Sequence, residues 1–316
     1  MILTVTPNPA VDMTYHAGEI TLGASHRVPA AHSRAGGKGL NVARVCHQLG
    51  HSVFALATVG GDSGAEFSHE LASSGVQHQL VPVSSGMRRS IAIVEAGSGR
   101  TTVINEVGSP LDEHEWARLI EAVRGRATEA NCLVGAGSLP GAAASGSTPT
   151  DRETRDHFYA ECVSIAHAAG IPAIIDATGR ALLLAAEAGA DLLKPNRDEL
   201  ADATGFDDPI AGAAHLLDLG AQAVIVSLGE EGMFGVSSDD RAPSYARLAT
   251  PLIGNPTGAG DAAVAAAAVC LAAGNRDREA ILRLATAWSA AAVLAPVAGD
   301  VAGDLSALEH AVQLRR

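Results

Sequence analysis

The chain opens with ILTVT at residues 2–6, continues with GLNVARVCHQL at 39–49 and follows with SVFALATV at 52–59, and the order of these three stretches decides the fold class. The first and third are short runs dense in β-branched residues, whereas the second has helical spacing and stops at Gly50. Strand, helix, strand is a βαβ unit. Further strand patterns lie at 132–136, 172–176, 191–194 and 223–227, with helical patterns at 63–73 and 113–130. In the last of these, Trp116, Leu119, Ile120 and Val123 repeat with the period of one helix face. The alternation predicts an α/β fold with a mostly parallel central sheet flanked by helices on both faces.

One region breaks the rhythm. Residues 90–96 and 101–107 are strand-like runs joined by Gly97-Ser98-Gly99-Arg100, which predicts a hairpin rather than a crossover. With the mixed stretch after Met13 it predicts a small antiparallel β lid. Its segments, near residues 13–33 and 86–108, would be inserted in a single domain spanning 1–316. No internal repeat is visible, and the Ala, Gly, Ser, Thr and Pro of 141–150 predict a mobile loop.

With 47% hydrophobic and 18% charged side chains, the 316 residues can bury a large core and do not read as disordered. A formal charge of −13, from 22 Lys+Arg against 35 Asp+Glu, excludes a broad basic surface for nucleic acid or an anionic membrane. Any anionic ligand must find local positive potential. Cys46, Cys132, Cys162 and Cys270 are scattered with no CxxC pair, and the twelve histidines offer no HExxH, so neither a disulfide framework nor a metal cluster is expected. The start of the chain lacks a basic stretch leading into a long apolar one and meets Pro7 early, so the expected location is cytoplasmic. The apolar run 262–273 is shorter than the roughly 20 residues of a membrane span and predicts a buried helix.

The sharpest local signal is Asn255-Pro256-Thr257-Gly258-Ala259-Gly260-Asp261 immediately before that helix. Gly258 and Gly260 let the backbone approach a ligand, and free N–H groups at a helix start favour an anion. A carboxylate beside them suits general-base work on a hydroxyl, although helix capping alone would also account for Asp261. Ala35-Gly36-Gly37-Lys38-Gly39-Leu40-Asn41 opens an earlier helix without being a P-loop, because Gly39 stands where a Ser or Thr would bind magnesium. Lys38 and Asn41 there supply donors for a small polar ligand. Asp12 follows the first strand, where ligands of open α/β sheets bind, and could accept two sugar hydroxyls or simply stabilise a turn. In Lys194-Pro195-Asn196-Arg197-Asp198-Glu199, Asn196 and Glu199 could hold a hydrated magnesium, or form a capping box. Ser227 to Gly232 ends a strand in a glycine turn suited to a nucleotide. Arg88 and Arg89 precede the lid strand, and the period of two lets only one face the ligand. Arg88 shares its face with Ser90 and Ala92 and is the better candidate for a substrate phosphate.

No GxGxxG follows the first strand and no GxSxG occurs. Taken in order, Asn8-Pro9-Ala10-x-Asp12, Gly36-Gly37-Lys38-Gly39-x-Asn41, Gly137-Ser138-Leu139-Pro140, Lys194-Pro195-Asn196-x-x-Glu199, Ser227-Leu228-Gly229 and Gly258-Ala259-Gly260-Asp261 resemble the ribokinase-like, phosphofructokinase B type carbohydrate kinases. The similarity is to the 1-phosphofructokinase and tagatose-6-phosphate kinase branch and spans nearly the whole chain. It implies an ATP-dependent hexose-phosphate kinase with magnesium-ATP as donor, most simply fructose 1-phosphate to fructose 1,6-bisphosphate. Tagatose 6-phosphate or fructose 6-phosphate is the alternative acceptor, ahead of a free sugar or nucleoside, and a silent sugar-phosphate-binding regulator is a competing reading. The resemblance makes Asp261 the catalytic base and Gly258, Ala259 and Gly260 an anion hole. It places Asp12, Gly37, Lys38, Asn41, Arg88 and Ser138 on the sugar phosphate. Lys194, Asn196, Ser227, Gly229, Gly232 and Thr257 fall on the nucleotide side with Gly258 and Gly260, and Asn196 and Glu199 near magnesium through water. Gly141 stands where the family commonly has a second proline, and 142–155 reads as an extended loop. A lid exposing one apolar face would suit a homodimer.

Overall fold

The computed structural model describes residues 1–97, 100–141, 149–250 and 252–316. Among them, ten strands form the main sheet, in the order Gln77–Pro82, Val53–Val59, Ile2–Thr6, Cys132–Ala136, Ala173–Asp176, Leu192–Leu193, Ala223–Ser227, Met233–Ser237, Ser244–Leu248 and Val312–Arg315. Neighbours are parallel as far as Ala223–Ser227, and the last three pairs are antiparallel. The six strands expected for this sheet are all present, each within one residue of its predicted bounds. Alternation buries both faces of the sheet. Leu3 and Val5 pack into one core with Trp116, Leu119 and Tyr159, while Ile2 packs into the other with Leu40 and Val264.

The helix Ala259–Ala272 lies in the second core between Lys38–Gln48 and Arg278–Val293. Every residue from Ala262 to Ala268 is buried, because alanine brings no side chain long enough to hold neighbours apart. Among the described residues no helix is long and apolar enough to cross a membrane. Ile2–Thr6 sits between Val53–Val59 and Cys132–Ala136, so the connections diverge at its carboxyl end and open a crevice there.

A second sheet, ordered His32–Gly36, Ala10–Ala17, Arg88–Glu95 and Thr101–Asn105, is the expected lid. The hairpin between its last two strands is present, with Ser90 opposite Asn105; residues 98–99 of the turn lie outside the described residues. The lid is nevertheless mixed rather than antiparallel, because Ala10–Ala17 and Arg88–Glu95 run parallel over eight pairs. Both follow parallel strands of the main sheet, Ile2–Thr6 and Gln77–Pro82, and so leave its carboxyl end in the same direction. The expected loop over 142–155 is also corrected at its end, since the helix Pro149–Ala168 already covers 149–155. Residues 142–148, the centre of the expected mobile segment, lie outside the described residues.

Candidate active site

Every residue that the resemblance places on the sugar phosphate, the nucleotide, magnesium or the reacting group lines one cleft of about 1120 Å³ between the lid and the carboxyl ends of the main-sheet strands. Its chemistry is densest at the start of the Ala259–Ala272 helix. Gly258 precedes that helix with φ of 86°, the left-handed region, and a Cβ there would meet Ala298 Cα at 3.0 Å. The amide of Ala259 is used by the Pro256 carbonyl at 3.2 Å, so it is not available to an anion as the resemblance implied. Among the described residues, the amides of Gly258, Gly260 and Asp261 have no protein partner.

Asp261 is 6% exposed, and the Asn41 side chain donates to its Oδ2 at 2.8 Å. Burial pushes its carboxyl up to about 7, against the pull of Lys38, the Asn41 hydrogen bond and Lys194 and with a further push from Asp176. A carboxylate poised there can exchange a proton near neutral pH. Asn41, placed on the sugar by the resemblance, therefore also orients this group.

Beside it stands a charge cluster that sequence reading found only in part. Lys38 Nζ donates to Asp176 Oδ1 and to Glu199 Oε1, both at 3.0 Å, and Lys194 Nζ lies 3.7 Å from Asp176 Oδ2. Burial raises the Asp176 carboxyl, but Lys194 and Lys38 outweigh it and hold the group below the usual carboxylate range. Burial likewise disfavours the charged Lys38, yet Asp176, Glu199 and Asp261 raise it well above the ordinary lysine value. Asp176 was not singled out in the sequence. Its signal was the same as that of Asp12 and Lys194, a polar residue at the carboxyl end of a strand.

The capping reading of Asn196 and Glu199 is realised. Asn196 Oδ1 accepts from the Glu199 amide at 2.8 Å, and Glu199 Oε2 accepts from the Asn196 amide at 2.9 Å. The other Glu199 oxygen takes the Lys38 bond and still lines the cleft. Among the described residues no cluster of three or more His, Cys, Asp or Glu could cage a metal. The oxygens that remain fit a magnesium that would keep its own waters and arrive with phosphates, and Asn196 and Glu199 would accept from those waters.

At the lid end, Asn8 Nδ2 donates to Ser138 Oγ and to the Val107 carbonyl, both at 3.0 Å. Arg88 Nε donates to the Asn8 carbonyl at 3.1 Å and Nη1 to the Glu106 carbonyl at 3.2 Å. Arg88 is half-buried in the cleft and Arg89 is exposed, as the period of two requires. The Asp12 carboxylate lies against Gly36, where no Cβ would fit. Burial pushes Asp12 up to about 6, opposed by Arg88, Arg34 and Arg44, with Glu70 adding to the push.

At the other end, Ser227 and Gly229 to Gly232 form the turn from Ala223–Ser227 into the antiparallel strand Met233–Ser237, with positive φ at Gly229 and Gly232. A Cβ on Gly232 would strike the Ala246 carbonyl. Met233, Leu248, Leu252 and Val293 line this end and make it an apolar slot. None of these four carried a sequence signal, because they come from separate elements and have no shared spacing.

The description "pfkB family carbohydrate kinase" fits residues 6–302 of the chain. The ATP-dependent 6-phosphofructokinase isozyme 2 of Mycobacterium tuberculosis (strain ATCC 25618 / H37Rv) is 30% identical over 302 residues, covering 93% of this chain and 84% of that protein. Phosphofructokinase-2 from Escherichia coli, solved in complex with fructose-6-phosphate, is 28% identical with a TM-score of 0.80 over 98% of both chains. Ribokinase of Arabidopsis thaliana, complexed with ribose and ATP, is 20% identical and shares the fold, with a TM-score of 0.71 over 97% of this chain and 96% of its own.

Proposed function

The chain belongs to the pfkB family of carbohydrate kinases, and from that premise we propose that it transfers the γ-phosphoryl group of ATP to the 1-hydroxyl of fructose 6-phosphate. It is an ATP-dependent sugar-phosphate kinase with the α/β ribokinase-like fold. Fructose 1-phosphate, the acceptor expected from the sequence, is set aside because the relatives sharing 28–30% of residues over nearly the whole chain are named as 6-phosphofructokinases or phosphofructokinase-2. The placement in the 1-phosphofructokinase and tagatose-6-phosphate kinase branch is corrected with it. By residue type and spacing alone, the quoted motifs do not distinguish which carbon of the acceptor carries the phosphate.

The observation that carries the proposal is the arrangement along one cleft, with Arg88 and Ser138 under the lid, Asp261 at the buried helix start and the Ser227–Gly232 turn at the other end. A sugar held at Arg88 and Ser138 by its 6-phosphate presents its far end, the free 1-hydroxyl, toward Asp261. Asp261 takes the hydroxyl proton as the oxygen bonds to the γ-phosphorus and the bond to the departing ADP oxygen breaks. The amides of Gly258, Gly260 and Asp261 stabilise charge spreading over the transferred group. Magnesium, when bound with ATP, supplies further charge neutralisation. Lys194 and the Ser227–Gly232 turn hold the nucleotide side, and the lid excludes water.

Within the same proposal the chain acts as one kinase domain with the lid inserted in it. The four cysteines are free and buried, which accords with a reducing, cytoplasmic setting. A second copy covers Val103, Ile104 and Val107, exposed on the outer lid strand and the residues after it, and light scattering of the full chain checks for that dimer.

With magnesium-ATP as donor, kcat/KM over fructose 6-phosphate, tagatose 6-phosphate, fructose 1-phosphate and free hexoses should be highest for fructose 6-phosphate. A free hexose or fructose 1-phosphate leading the series would overturn the assignment. Arg88→Ala should raise KM for the sugar phosphate by about 10- to 100-fold, the worth of a lost charge-assisted hydrogen bond, while KM for ATP stays nearly constant. Equal effects on both substrates would remove Arg88 from the sugar-phosphate end.

A further inference from the structure

The segment 298–301 backs the turn that presents the amides to the transferred group. A Cβ on Gly258 would meet Ala298 Cα at 3.0 Å and the Gly299 nitrogen at 3.1 Å, and Gly299 in turn lies against Asn41, which holds Asp261. No side chain fits between the two backbones, so a displacement of 298–301 bears directly on the Gly258 turn.

Two clamps fix the segment. From the main body, Gln48 Nε2 donates to the Val301 carbonyl at 2.8 Å and its Oε1 accepts from the Val301 amide at 3.0 Å. From the lid, Arg34 donates through Nη1 to the Ala298 carbonyl at 3.0 Å and through Nη2 to Asp300 Oδ1 at 2.7 Å. Arg34 lies in the lid strand His32–Gly36 directly opposite Asp12 in the register. One guanidinium therefore joins the strand beside the sugar-side carboxylate to the segment behind the amide turn.

We infer that Arg34 is a positioning residue that couples seating of the sugar phosphate under the lid to placement of the Gly258 turn. This rests on phosphoryl transfer at Gly258 to Asp261. Donors aimed at developing charge act only within a few tenths of an ångström of their proper distance, so a loosened backing segment weakens the transition state more than it weakens either substrate. The Asp300 side chain is 37% exposed, and an ion pair that open contributes little to global stability. Loss of Arg34 should thus appear in turnover rather than in melting.

The test uses the full chain with Arg34→Met, Asp300→Asn, the double variant and Arg34→Lys. Arg34→Met is expected to lower kcat roughly tenfold or more, with KM for ATP changed by less than about twofold. The double variant should be no worse than Arg34→Met, and Arg34→Lys should recover part of the loss. Amide hydrogen exchange over 255–262, measured without ligand, should be faster in Arg34→Met than in the parent. Unchanged exchange overturns the coupling, and faster exchange with an unchanged kcat overturns its role in positioning. Additive single effects would mean that Arg34 acts without Asp300 and would also overturn the arrangement. Failure of every sugar phosphate as a substrate would defeat the proposed function instead, while the exchange comparison would still decide the coupling.

Discussion

Asp261→Asn lowers turnover by about 10² to 10⁴, the range for loss of a positioned general base, and leaves KM for ATP nearly unchanged. The replacement is almost isosteric, so the Gly258 turn and the helix start stay in place. Near-normal turnover would remove Asp261 from the chemistry. The same residue sets a pH limb. Its carboxyl is raised to about 7 by burial, and it accepts a proton only when ionised, so kcat/KM should fall as pH drops below that value. The limb should be absent from the residual activity of Asp261→Asn. Stability moves the other way. The folded value lies above the unfolded one of about 4, so the folded chain binds the extra proton between them. The stabilising contribution is therefore full below about pH 4 and is lost as pH rises through the folded value. At pH 8 the parent carries a buried carboxylate that Asp261→Asn does not, so this variant should be no less stable while being nearly inactive. A loss of activity accompanied by global unfolding in denaturant titration would contradict that account.

Asp176→Ala is expected to destabilise the fold by about 3 to 5 kcal/mol, measured by denaturant unfolding at pH 7, because it breaks a buried ion cluster and leaves charge behind. Asp176 is 1% exposed and stands between the Lys38 and Lys194 ammonium groups, at 3.0 and 3.7 Å. Without it, two cations share one pocket with Glu199 and the more distant Asp261 left to offset Lys38. A loss below about 1 kcal/mol would show that water or rearrangement replaces the carboxylate. Asp176→Asn separates shape from charge, since it keeps a hydrogen-bonding group in place and removes only the charge. The carboxyl is held below its usual value, so its contribution is full above about pH 4 and fades as acid carries the pH through the depressed folded value. The parent should therefore lose more stability on acidification through this window than Asp176→Asn does.

The parts of the fold that were legible in the sequence are those whose burial leaves no choice of residue. The strands at 2–6, 132–136 and 223–227 are covered on both faces and read as continuous apolar or β-branched runs. Of the four unpredicted main-sheet strands, Met233–Ser237 is buried and was hidden by the glycine turn before it, whereas Gln77–Pro82, Ser244–Leu248 and Val312–Arg315 are outer or partly exposed. One or both of their faces tolerate polar residues, so QHQLVP and SYARL carry little strand signal. The mixed lid was hidden for a different reason: strand direction depends on where the chain leaves the main sheet, which no local pattern encodes.

The candidate site divides in the same way. Gly258, Asp261, Gly37 and Lys38, which line the cleft, stood out in the sequence because a glycine-rich helix start restricts residue type in one short stretch. By itself the sequence determined the α/β class, the buried alanine helix and the family's ordered motifs, all of which follow from local spacing and side-chain size. Only the tertiary structure decided that Lys38 is shared between Asp176 and Glu199, that Asn41 holds Asp261, and that Arg34 reaches from the lid to Asp300. These pairs lie 138, 161, 220 and 266 residues apart along the chain. Charge and hydrogen bonding act through space at about 3 Å, and a single sequence records no such distance until the sheet has brought its strand ends together.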